Sequence, residues 1–213
     1  MKLLSLLVTT LFVSHPFMVD TAFAEVAPLF AADVDTPYYD RHTIDVSNLR
    51  DFYAGLLIAD MMIHADALFD AETKWKITLY QMILLGSNHH QARSAYQLSL
   101  MGVPVDEILA IWSPDYVESI DNERIRTAFE FVPVAAINPA HVTADTHAAL
   151  RMQFIDRQIA ELVELVAINA AMATHDLILP IPTDQETIDW ARANLESVGW
   201  TLGPNQSSSS EEQ

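Results

Sequence analysis

The chain contains no cysteine. That one absence excludes thiol nucleophiles, thiolate-held metals and iron–sulfur clusters. It also removes disulfides, which a domain of this length does not need to build a core. Positive charge is nearly as scarce. Eleven Lys and Arg stand against 29 Asp and Glu, a formal net charge of −18. After Lys2 the only lysines are Lys74 and Lys76. Such a surface repels phosphate backbones and anionic headgroups, so neither nucleic acid nor a membrane is an expected partner. It also makes any arginine beside a pocket stand out as an anion ligand. There are five glycines, no glycine-rich phosphate loop and no Ser-His-Asp order.

The first 24 residues read as a signal peptide. Lys2 gives a positive start, "LLSLLVTTLFV" is too short to span a bilayer, and Ala22 and Ala24 offer small residues for cleavage. His15 and Pro16 further interrupt the apolar run. The expected mature chain begins near Glu25, is exported to the periplasm or secreted, and carries no later run of bilayer length. Its length suits one ordinary domain.

Residues 25–47 read as an extended arm broken by Pro28 and Pro37. Helical spacing governs residues 48–203 and predicts an all-α domain of about seven to eight helices. The first opens at Ser47 or Asn48 and runs through "LIADMMIHADALF" to Phe69. A second starts at the Asp70 cap and ends or bends at Gly86. A third covers 88–101 before Gly102, and "PVDEILAIW" is a short fourth. "SPDYVESI" is a connector. "DNERIRTAFEFVPVAAI" is a fifth helix, expected to bend or end near Pro133. "TADTHAALRMQF" is a sixth, and the longest runs from Asp156 to Ile178. "QETIDWARANLESVG" closes the domain, and residues 204–213 read as a disordered tail. The methionines of "ADMMIHAD" and "LYQMILL" suit core or subunit packing.

The chemistry concentrates in the third helix, within "GSNHHQARSAYQLSLMG". His90, Arg93 and Gln97 fall on one stripe at spacings of three and four, with Ser87 and Ser94 on a neighbouring line. A histidine moves protons near neutral pH, and an arginine one turn away grips a carboxylate through two parallel hydrogen bonds. The same spacing also arises on an ordinary solvated helix face. His89 and His90 are adjacent, so their side chains diverge by about 100° on a helix and are not expected to chelate one ion. No HxH or HxxxH spacing exists, so no metal is expected. His64 is a candidate pocket residue. His141 and His147 fall near a turn and are expected to be exposed, and His175 is expected to complement a helix C-terminus.

The run "LYQMILLGSNHHQARSAYQLSLMGVPVDEILAIW", followed by "NERIRTAFEFVPVAAINPAHVTADTHAALRMQFIDRQIAELVELVAIN", resembles the carboxymuconolactone decarboxylase/alkylhydroperoxidase D-like family over about residues 48–183. The resemblance implies that family's all-α fold and a homo-oligomer, a trimer or hexamer. Its peroxidase branch carries two cysteines and a histidine where Ser87, His90 and Ser94 stand here, and a relay glutamate where Trp75 stands, with Glu72 the nearest acid. Serine forms no disulfide, so a peroxiredoxin-type activity is disfavoured. The decarboxylase branch lacks the cysteines and has a histidine pair, as His89 and His90 stand here, plus a third histidine at the Ser94 position. Together these imply a cofactor-free lyase or isomerase on a small carboxylated molecule. His90 or His89 would be the acid/base, and Arg93, Gln97 and His64 the substrate ligands. The alternative is a non-catalytic binding or assembly protein that kept the fold.

Overall fold

Short polar side chains at helix starts set the frame. In the computed structural model, which describes residues 58–65, 67–178 and 183–203, α1 covers 58–64 of the described chain. It is followed by α2 (Ala71–Leu85), α3 (Asn88–Leu100), α4 (Val105–Ala110), α5 (Glu123–Ile137), α6 (Ala144–Gln153), α7 (Asp156–Ile178) and α8 (Gln185–Asn194). Two short 3₁₀ turns, Pro139–His141 and Glu196–Val198, complete the order. Among the described residues there is no strand, as the helical spacing predicts. The expected signal peptide, the arm, the start of the first helix and the tail lie outside the described residues. No described helix is long and apolar enough to cross a membrane.

Each start has a chemical cause. Asp70 accepts from the Thr73 amide at 2.7 Å, Asn122 accepts from the amides of Arg124 and Ile125, and Asp184 accepts from the Thr187 amide at 2.9 Å. Thr143 and Thr146 form a reciprocal capping box on α6. These bonds satisfy amides that a helix start otherwise leaves without partners. Gly86 ends α2 at φ 74°, a left-handed conformation that favours glycine, and the chain re-enters a helix two residues later.

Two expectations change. The first helix ends at His64 rather than at Phe69. Pro133 does not end α5, which continues to Ile137. A proline removes one backbone bond, but Phe131 and Val132 beside it are buried in the core and hold the turn in place.

α2 is the central element. It packs most extensively against α3, and also against α7 and α5. Ile77 faces one apolar cluster with Phe129, Val132, Leu162 and Leu165. Leu79 faces a second with Ala92, Leu98, Ile108 and Leu195. Burying each such large side chain stabilises the fold by about 1.5–3 kcal/mol. The result places the start of α3 beside the end of α7.

A buried lysine closes the connector between α1 and α2. Lys74 is 1% exposed. Its Nζ donates to the Ala65 carbonyl at 2.6 Å and pairs with Glu161 of α7. The other Glu161 oxygen accepts from the Leu68 amide at 3.0 Å. Removing one member of a buried pair strands the other charge. We expect Lys74→Ala to lower unfolding stability by about 3 kcal/mol, read from urea unfolding curves. A loss below about 1 kcal/mol, the range of surface pairs, would contradict this role.

Candidate active site

The start of α3 and the last turn of α7 build the site. Ser87 caps α3, with its Oγ 3.4 Å from the His90 amide. The same hydroxyl donates to Asp176 Oδ2 at 2.5 Å. Ser87 has one proton, and it is committed to Asp176. Its 3.2 Å contact with His90 Nδ1 must therefore be a bond that Ser87 accepts. In the neutral ring this places the imidazole proton on Nδ1 and leaves Nε2 as a lone pair. Asp176 Oδ2 lies 3.7 Å from the same Nδ1. The His90 Nε2 atom is buried and makes no hydrogen bond among the described residues.

Electrostatics follow from this packing. Burial would raise the Asp176 carboxyl, but the close His90 ring, the His89 imidazole and the hydrogen bond from Ser87 outweigh it, and hold it below the usual carboxylate range. It is therefore an anion at neutral pH. His89 is pulled down to about 3, first by burial, then by the charges of His90 and Arg93, with Asp176 opposing. It stays neutral, and its Nδ1 lies 2.7 Å from Thr183 Oγ1. Thr183 immediately precedes the α8 cap Asp184, so the docking of α8 positions the His89 ring.

The expected divergence of the two histidines does not hold. Their rings meet edge to face with centroids 4.7 Å apart. Ligating atoms of His89, His90 and Asp176 all lie within 4.8 Å of one another. Both rings are in the first turn of α3, where side-chain torsions swing them toward the end of α7. The hundred-degree offset of their Cα–Cβ bonds does not decide where the ring nitrogens finish.

The other predicted residues divide. Arg93 and Gln97 are half-buried on the stripe that starts at His90. The Arg93 charge reaches both Asp60 and His89, and no hydrogen bond of Arg93 occurs among the described residues. Ser94 is buried with its Oγ unpartnered among the described residues. His64 is not a free pocket residue. Its Nδ1 is 2.8 Å from the Asp60 carbonyl and 3.3 Å from the Asp60 carboxylate, and its Nε2 is 2.7 Å from Thr78 Oγ1. Its ring stacks on Trp75 at 3.9 Å. Asn169 donates to Thr78 and to Gln81, which extends this buried polar chain into α7. Glu72 does not reach the site and instead pairs with Lys76 at 2.6 Å. His141, in the turn, and His147, in α6, are both exposed, as expected. His175 is half-buried, and burial lowers its pKa, against the cationic capping role expected of it.

Sequence reasoning misses Asp176, Thr183, Asp60 and Asn169. Asp176 joins Ser87 across 89 positions, and no local spacing reports such a pairing. The one cue is an acid beside His175 in "ATHDL".

No family model matches the chain, and no curated protein matches it. Among solved structures, the chain is similar to a cysteine-to-alanine variant of the debrominase Bmp8 in complex with 2,3,4-tribromopyrrole. The superposition covers 84% of this chain and 93% of that one, with a TM-score of 0.60 and 16% identity. The two chains share a helical fold. At that identity the likeness speaks for the fold alone.

Proposed function

We propose that the protein is a cofactor-free acid/base enzyme of the carboxymuconolactone decarboxylase-like family, a lyase or isomerase acting on a small carboxylated molecule. The observation that carries this reading is the His90 ring. Its Nδ1 is anchored by Ser87, which Asp176 holds in turn, the Asp176 carboxylate lies 3.7 Å from that nitrogen, and the ring's Nε2 is buried without a partner among the described residues. A base oriented by a carboxylate at the far nitrogen is the arrangement that general-base catalysis uses. Nε2 takes a proton from the carbon next to the substrate carboxylate, and Asp176 stabilises the imidazolium that forms. Arg93, one turn along α3, holds the carboxylate. The chain has no cysteine, so the peroxidase alternative stays disfavoured.

The test is deuterium exchange. Small lactone and oxo carboxylic acids are incubated with the protein in D₂O, and exchange of the adjacent C–H is followed by NMR. The wild-type chain is expected to catalyse exchange on at least one of them. Arg93→Met is expected to raise KM by roughly 10-fold or more, since a charged hydrogen bond is worth about 1.5–3 kcal/mol. No exchange across the panel would favour the non-catalytic binding reading.

The proposal includes export and a homo-oligomer. The assembly is supported by Val163, Leu177 and Ile178, apolar side chains exposed along α7. Light scattering on the purified chain reads the assembly directly.

A further inference from the structure

We infer that His89, His90 and Asp176 bind a divalent cation of the zinc class, and that the bound cation shuts the acid/base site. The binding rests on geometry alone; the shutting rests on the reading of His90 given above. All three residues are buried, and one ligating atom from each lies within 4.8 Å of the others. Two imidazoles and a carboxylate form the donor set zinc takes when a fourth position stays open. Softer ions that demand thiolates are disfavoured, and magnesium prefers an all-oxygen shell.

A second observation points the same way. His90 Nε2 is a buried acceptor with nothing to accept among the described residues. Such an atom is costly without a partner, and a cation would supply one. The surrounding contacts are those that orient metal ligands. Ser87 donates to the Asp176 carboxylate at 2.5 Å, and Thr183 lies 2.7 Å from His89 Nδ1. A hydrogen bond at one ring nitrogen fixes the tautomer and presents the other to a metal. Two features oppose binding, the positive end of the α3 dipole and the Arg93 guanidinium. The anionic Asp176 offsets them, and the overall charge of −18 raises the local cation concentration.

A cation on His90 blocks the lone pair that the proton transfer needs. Zinc should therefore inhibit the enzyme reversibly, and chelation should restore it.

The experiment titrates the full chain, freed of metal by chelator and dialysis, with zinc chloride by calorimetry, with bound zinc counted by mass spectrometry. One equivalent is expected. His90→Ala and Asp176→Asn should each weaken binding at least about 10-fold. His141→Ala, in an exposed turn, should bind as the wild type does. If His90→Ala fails to fold, Ser87→Ala keeps all three ligands and should still weaken binding by about 10- to 100-fold through the lost outer contact. Absence of stoichiometric zinc would overturn the inference, as would equal binding by a His89→Ala/His90→Ala double variant. Zinc bound without any wild-type exchange activity would support the site and sink the acid/base reading. Exchange activity that bound zinc leaves untouched would overturn the shutting and the role of His90 as the base.

Discussion

His90→Ala is expected to lower turnover in the exchange assay by roughly 100- to 10,000-fold, the range for loss of a positioned acid/base group. The size follows from the geometry. His90 Nε2 is the buried imidazole nitrogen left without a hydrogen bond, while His89 Nδ1 is engaged by Thr183 and both nitrogens of His64 are occupied. His64 cannot take over the role without first giving up a bond, and the His89 ring is held at its Nδ1. KM should change much less than kcat, because Arg93 remains to hold the carboxylate. His89→Ala should cost less, since that ring packs against His90 but is not the base. Asp176→Asn tests the tautomer. An amide in place of the carboxylate no longer favours the Nδ1 proton, so kcat should fall although the ring remains. Wild-type kcat in His90→Ala would refute the assignment.

Acid is expected to unfold the protein in a window set by His89. In the unfolded chain this imidazole takes a proton near 6.5, and in the fold it does so only at about 3. Between those values the unfolded state binds more protons than the native state. Stability therefore falls as pH falls through the window. A shift of that size corresponds to about 4–5 kcal/mol when the window has been crossed, at about 1.4 kcal/mol per pH unit. That is a large part of what an ordinary domain possesses. Asp176 and Asp60 act in the same direction but lower down. Their folded carboxyls are held below the ordinary range, so their contribution is present above about pH 4 and is lost beneath it. Urea unfolding between about pH 6.5 and 4.5 thus isolates the histidine contribution. His175, also depressed by burial, adds to it with the same sign. His89→Gln should flatten the profile in that interval. A variant profile parallel to the wild type would show that the ring is not held neutral.

The fold is largely legible in the sequence because its signals are local. Asp70, Asn122, Thr143 and Asp184 cap helices within three residues of themselves, and a sequence displays such pairs directly. Gly86 is equally plain as a stop. The exceptions involve tertiary packing. Pro133 reads as a bend or an end, and the helix runs past it to Ile137 among buried neighbours. The α1 end at His64 coincides with a connector held by Lys74 and Glu161, which lie on different helices. The site is half legible. The stripe from His90 to Gln97 is a periodicity and can be read. Its partner Asp176 cannot, because nothing in α3 announces which acid of α7 will face it. His64 stands out as a residue but not in its true role, since Thr78 and Trp75 claim it from another helix. The spacing argument against a shared ion at His89 and His90 meets a related limit. Spacing describes where Cβ atoms start, and coordination depends on where ring nitrogens end.

The flat stack of Trp75 on His64 has an optical consequence. The chain has four tryptophans, and among the described residues Trp75 is the one whose indole lies face to face with an imidazole, at an interplanar angle of 20°. The ring belongs to α1 and the indole to α2, so the emission of Trp75 records whether those two helices are in register. Replacing Trp112, Trp190 and Trp200 by phenylalanine would leave a chain that reports the seating of α1 by its own fluorescence, without any attached dye.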